Sequence, residues 1–214
     1  MDTSKSSTSV MMAASGDGAL LPTFTVFKAQ NLYPTWVEGG TPNARYGCSK
    51  SGWFDMRLFE EGFVTIIIPY FRNKTGKKVI IGDNLASHFS PEVIRLCQLH
   101  NIMFLFFPPP NSTHLFQPLD VAVFRGLKAA WRKVLHAGKK KRGVVPKNMF
   151  PTLLREAIES MGDRLRDNII AGLRHFQRTD KLGVPPIATL TVLFTFFLDK
   201  HRSGRKPQDV IDLP

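Results

Sequence analysis

At 214 residues and 43% apolar content, the chain is long enough for one domain with a sizeable core. It carries 29 basic residues against 17 acidic ones, a net +12 with a pI near 10.0, and composition leaves two readings of that excess open, a polyanionic partner, most often nucleic acid, or a merely basic solvated surface. Only two cysteines, Cys48 and Cys97, occur, far apart and without a CxxC, which argues against a disulfide scaffold or a zinc knuckle. The apolar run Thr191 to Leu198 falls well short of the ~20 residues a membrane span needs, and Val10 to Ala14 is too short for a signal-peptide core. The expectation is a soluble, intracellular chain without a membrane partner.

In chain order, Val10 to Ala14 reads as a strand, Gly16-Asp17-Gly18 as a tight turn, and Leu20 to Lys28 as the returning strand. Asp-Gly between two strand patterns is a turn signal before it is an acid. Residues 29–62 mix glycine, proline and asparagine with aromatics such as Tyr33, Trp36, Tyr46 and Trp53. They read as an irregular excursion ending in a helix near Asp55 to Gly62. Its aromatics could stack on bases, although packing against the sheet is their commoner use. Thr65 to Tyr70 fits either a strand or the tail of that helix.

Val79, Ile80 and Ile81 are apolar on both faces, as a buried, parallel strand requires. That strand delivers Asp83. Ser90 and Pro91 open a helix as N-cap and first-turn proline, with Val93, Ile94, Leu96 and Cys97 as its buried stripe. Ile102 to Phe107 is the next strand, so a βαβ unit results. The loop PPPNSTHLFQP leads to Leu119 and Asp120, which open a long helix with Phe124, Leu127, Trp131, Val134 and Leu135 at helical spacing. Gly138 is expected to break it, leaving Lys139, Lys140, Lys141 and Arg142 in an exposed loop. A further helix spans about Pro151 to Met161, and beyond Arg178 the pattern weakens to a proline pair and a short apolar segment. Between Arg125 and Arg178 stand 14 Lys/Arg and 4 Asp/Glu, so most of the net charge is concentrated there.

Sites in α/β sheets gather at the carboxyl ends of strands. Asp83 is at such an end, and Asp120 heads a helix 37 positions later. Two converging carboxylates repel unless a cation neutralises them, and Mg2+ or Mn2+ suits hard oxygen ligands. Two such ions about 4 Å apart support phosphodiester cleavage. The competing reading is structural: a turn for Asp83, and for Asp120 a favourable place at a helix N-terminus. Nothing ties His88 to His114 as ligands.

The segments GDNLASH, FFPPPNSTHLFQPLD and VAVFRGLKAAWRK resemble the DDE-superfamily endonuclease domain of pogo, Tigger and jerky-type transposases, of the mariner-like branch. Asp83, Asn84 and His88 match its strand end. Pro109, Pro110, Asn111 and Thr113 match its loop, Gln117 to Asp120 its Gln-Pro-Leu-Asp block, and Lys128 with Trp131 its helix. Upstream, SGDG, VFKAQNLY and SGWFD fit as well.

The resemblance covers roughly residues 8 to 178. It implies an RNase H-like α/β fold, with Asp83 and Asp120 as the second and third catalytic, metal-binding acids and Mg2+ or Mn2+ as cofactor. It also implies a first aspartate on a central strand preceding Val10, which this sequence does not contain.

The expected domains are therefore a partial endonuclease domain, 1–178, and a C-terminal extension, 179–214. Without a central strand, two strands lose a neighbour. The sheet must then re-pair, or a dimer partner or another chain must supply the missing element.

Three readings follow. The first is a nuclear, DNA-binding, transposase-derived domain with an impaired ancestral cleavage activity, so whether it is an enzyme stays open. The second is a domesticated, non-catalytic nuclear DNA-binding or interaction protein, with Lys139 to Arg142 on DNA and as a nuclear-localisation run. The third is an unstable fragment.

Overall fold

The computed structural model describes residues 8–82, 90–106, 123, 125–142, 145–178 and 189–197. They form an α/β fold around one six-stranded sheet. The strands are β1 (Thr8–Ser15), β2 (Phe24–Lys28), β3 (Arg45–Ser49), β4 (Lys78–Gly82), β5 (Ile102–Phe106) and β6 (Thr189–Phe197). Their order across the sheet is β3-β2-β1-β6-β4-β5. β1 is antiparallel to both neighbours, while β2 with β3, β4 with β5 and β4 with β6 pair in parallel.

The sheet is covered on both faces, and β1, β2 and β4 accordingly bury residues on both. On one face Met11, Ala13, Phe24, Val26 and Ile80 pack under α1 (Met56–Gly62), α2 (Ile68–Arg72) and α3 (Pro91–Leu99). On the other, Val10, Met12, Phe27, Val79 and Ile81 pack under α4 (Arg125–Arg142), α5 (Phe150–Glu159) and α6 (Asp163–Arg178). Burying a side chain of Val, Ile or Phe size stabilises by about 1.5–3 kcal/mol each, so these two layers hold the sheet together.

The turn after β1 is as the sequence predicts. Ser15 Oγ donates to Asp17 Oδ1, Ala19 N–H donates to the same oxygen at 3.2 Å, and Gly18 takes φ +88°. The Ser15 hydroxyl is the largest influence holding the Asp17 carboxyl below its usual range. Asp17 is a turn residue. The returning strand is shorter than expected: Leu20 makes only an isolated bridge to Ala14, and Leu21 donates to Ala13 O at 2.8 Å before β2 begins at Phe24.

Between α1 and α2, Phe63–Ile67 forms a π-helical turn. Pro69, with no N–H and a ring that crowds the carbonyl four residues back, explains the widened turn. Of the two readings of Thr65 to Tyr70, the helical one therefore holds. Gly62 lets this helix approach the sheet: a Cβ there would stand 2.6 Å from Met11 Cε and 2.9 Å from Phe24 Cδ1.

Ser90 caps α3, accepting from the Glu92 and Val93 N–H groups at 3.1 and 3.3 Å, and also donates to Glu60 of α1. It is fully buried. Ser90→Ala should therefore cost about 1–2 kcal/mol, from the lost cap and the lost tie to α1; a urea midpoint measured with an unchanged slope checks it. The α3 stripe is narrower than predicted. Val93, Leu96 and Cys97 are buried, but Ile94 is 47% exposed because it lies about 100° round the helix from Val93, off the sheet-facing side. Burial pushes the Cys97 thiol up to about 11, and both cysteines are free.

Two strands escape the sequence reading. β3 lies inside the irregular excursion, at the sheet's edge. β6 lies in the segment read as a C-terminal extension, and it occupies the place between β1 and β4. Seven residue pairs join it to β1 and five join it to β4. Among the described residues β6 stands where the resemblance places a central strand.

Candidate nucleic-acid interface and the sheet edge

All strands but β1 run the same way, so their carboxyl ends share one edge. β4 ends there at Gly82, and Asp83 is the next residue in the sequence. Asp83 itself, like Asp120, His88, His114 and the proline-rich loop, lies outside the described residues.

The register says what stands beside that point. Gly82 pairs with Leu193 of β6, and Leu193 with Ala13 of β1. Beyond Leu193, β6 continues through Phe194, Thr195, Phe196 and Phe197 along Met12 to Ser9. The strand flanking the end of β4 thus carries no carboxylate over its whole length, Thr189–Phe197. Among the described residues no three His, Cys, Asp or Glu side chains come together in a way that could hold a metal. Bound metal would activate water and stabilise a leaving oxygen. The described residues do not supply a ligand set for it.

The second part of the candidate site is basic. α4 holds Arg125, Lys128, Arg132, Lys133, Lys139, Lys140, Lys141 and Arg142, with no acidic residue along its length. Leu127 and Trp131 anchor it to the sheet; the Trp131 ring lies 5.1 Å from Phe150 and 3% of the residue is exposed.

The sequence places the four-residue basic run in a loop after Gly138. The structure corrects this: the helix continues through Gly138 to Arg142. A glycine within a helix costs only about 1 kcal/mol relative to alanine. Here its Cα side faces Leu153 and Val145, where a Cβ would lie 3.7 Å from each. Cations in the final turn also complement the helix dipole. Lys139 and Lys140 are therefore set one after the other on the helix's last turn, with Lys140 exposed and Lys139 half-buried. Lys141 and Arg142 complete that turn in the backbone.

Lys147 is a residue the sequence reading missed. It follows α4, and its ammonium donates to the Lys28 carbonyl at 2.7 Å and lies 4.7 Å from the Trp36 ring centre. Burial, then the Lys28 charge, pulls its pKa below the usual lysine value. Trp36 in turn packs 5.4 Å from Phe27, and Phe54 packs 5.2 Å from Phe24. The aromatics of the excursion thus mainly staple it to the sheet, with Tyr33 the exception at 53% exposed. A cation over an indole face is a tertiary contact between positions 111 apart, and no local signal announces it.

The described residues thus form an α/β fold with a parallel β4-α3-β5 unit and a helix of eight cations and no acid packed on the sheet. The family described as DDE superfamily endonuclease matches residues 4–162, and the chain belongs to that family. The match ends before α6 and β6, so the strand in the middle of the sheet comes from outside the matched part.

A curated protein of Cochliobolus lunatus named "MFS-type transporter clz9" is 32% identical over 123 residues. Those residues are 56% of this chain and 13% of that protein, so the chain spans a small part of its relative. No helix among the described residues is long and apolar enough to cross a membrane. No solved structure matches the chain.

Proposed function

We propose that this chain is a pogo/Tigger-type, transposase-derived domain that binds DNA in the nucleus through α4 and its surroundings, and that cleaves DNA weakly or not at all. The DNA-binding half rests on one observation above the others: an 18-residue helix with eight cations and no acid, in a chain of the DDE endonuclease family. Phosphate neutralisation by such a helix supplies sequence-independent affinity and makes it salt-dependent. The impaired half rests on the composition of β6. Family resemblance expects a central strand bearing the first metal-binding acid, and the strand in that place offers leucine, phenylalanine and threonine beside the end of β4. Asp83 and Asp120 remain the residues to which Mg2+ or Mn2+ chemistry is assigned, with the ancestral reaction a metal-dependent phosphodiester cleavage and strand transfer.

The alternative of a domesticated, non-catalytic DNA-binding or interaction protein shares the first half and differs only in selecting against cleavage. Fluorescence anisotropy with a labelled duplex, repeated over a salt series, tests the shared half. Log affinity should fall linearly with log salt, by about 0.9 for each phosphate contacted. An affinity indifferent to salt would remove the basis for assigning DNA to this helix. Asp120→Asn should leave that affinity unchanged.

A further inference from the structure

A groove of about 630 Å³ runs along the outer side of α4, between it and α5 with the start of α6. Its α4 wall is made of small side chains from Gly126 through Ala129, Ala130 and Ala137 to Gly138. The twelve steps from Gly126 to Gly138 span about 18 Å at 1.5 Å per residue, which is just over three helical turns. Val134, Leu153 and Met161 give the groove an apolar floor. At its margins stand Lys133 of α4 and Arg164 of α6, both exposed. Neither has an ion-pair partner among the described residues. Glu156 is the one carboxylate in the lining.

We propose that this groove docks an acidic amphipathic helix of a protein partner. The exposed Ala129 and Ala137 leave room on α4 for a second helix, and the apolar floor takes a row of side chains at i, i+3, i+4 and i+7. Charge selects the partner: Lys133 and Arg164, exposed at the groove's margins with Glu156 the single acid in its lining, favour a helix whose apolar stripe is flanked by Asp or Glu over a basic one. Lys133 and Arg164 then pair with those flanking carboxylates. Nucleic acid fits the basic last turn of α4 but not this floor, because phosphates and sugars gain nothing from leucine, methionine and valine. The groove therefore adds a protein-binding surface to the DNA-binding one, and it stands whether or not the DNA reading holds.

The test uses the full chain and a fluorescein-labelled synthetic amphipathic helix of about fourteen residues, with leucine on one face and glutamate elsewhere. Anisotropy should show saturable binding, and the same peptide with lysine for glutamate should not bind. Ala137→Trp fills the groove from an exposed position, and Lys133→Glu with Arg164→Glu reverses its margin. Each should weaken peptide binding at least about tenfold, with an unchanged thermal transition. Absence of saturable binding by the acidic peptide overturns the proposal, as does binding that both sets of variants leave intact. An Ala137→Trp chain that loses duplex DNA and keeps the peptide also overturns it, since the groove would then be a nucleic-acid surface.

Discussion

Leu193→Pro should abolish the cooperative thermal transition of this chain. Leu193 sits in the middle of β6, paired with Ala13 on one side and Gly82 on the other. Proline there removes a ladder hydrogen bond and forces its ring against a neighbouring strand, a cost of about 3 kcal/mol or more even before the strand detaches.

Detachment is the larger effect. Among the described residues, β6 alone links the β3-β2-β1 half of the sheet to the β4-β5 half. Losing it leaves the backbone groups of seven pairs toward β1 and five toward β4 without partners. At about 1–3 kcal/mol for each buried unpaired group, a handful already rivals the ~5–15 kcal/mol stability of a domain. Circular dichroism on heating checks this. A proline variant that melts cooperatively within a few degrees of the parent would show that β6 does not hold the sheet.

Reversing the charge of Lys139, Lys140, Lys141 and Arg142 to glutamate should nearly eliminate duplex binding at physiological salt. The continuous helix matters here. In a loop, four cations would lose conformational freedom on binding, whereas here the backbone of all four is already helical. If the four cations contact four phosphates, the salt slope should flatten by about 3–4. Affinity should fall by two orders of magnitude or more. The substitutions also place four acids at a helix C-terminus, which the dipole disfavours, so the thermal transition is measured beside the affinity. A flat slope in the parent chain, or an unchanged one in the variant, would move DNA to another surface.

What the sequence made legible follows from locality. β4, α3 and β5 could be read because their signals are short-range: a β-branched run, a Ser-Pro helix start, a second apolar run. The Asp17 turn was equally local. The basic character of α4 was evident from its residues, but its end was misplaced, because a glycine inside a lysine-rich run carries a strong local stop signal. Leu153 and Val145, which pack near Gly138, lie well beyond that window.

β3 went unread because RYGCS has neither alternation nor a β-branched core, and takes its conformation from pairing with β2. β6 was visible as an apolar segment, Thr191 to Leu198. Its place in the sheet depends on partners more than a hundred positions away in β1 and β4, which no local pattern encodes. The family motifs located Asp83 and Asp120 by resemblance; the register of β6 then showed what neighbours the end of β4, and that could only be seen once the strands were paired.

The most direct measurement is plasmid nicking by the purified chain with Mg2+ or Mn2+, compared with Asp83→Asn and Asp120→Asn. A sheet whose central strand bears no acid should give no conversion of supercoiled plasmid above that of the two variants, while all three proteins bind the DNA alike. Robust nicking by the parent chain, abolished by Asp83→Asn, would contradict the account.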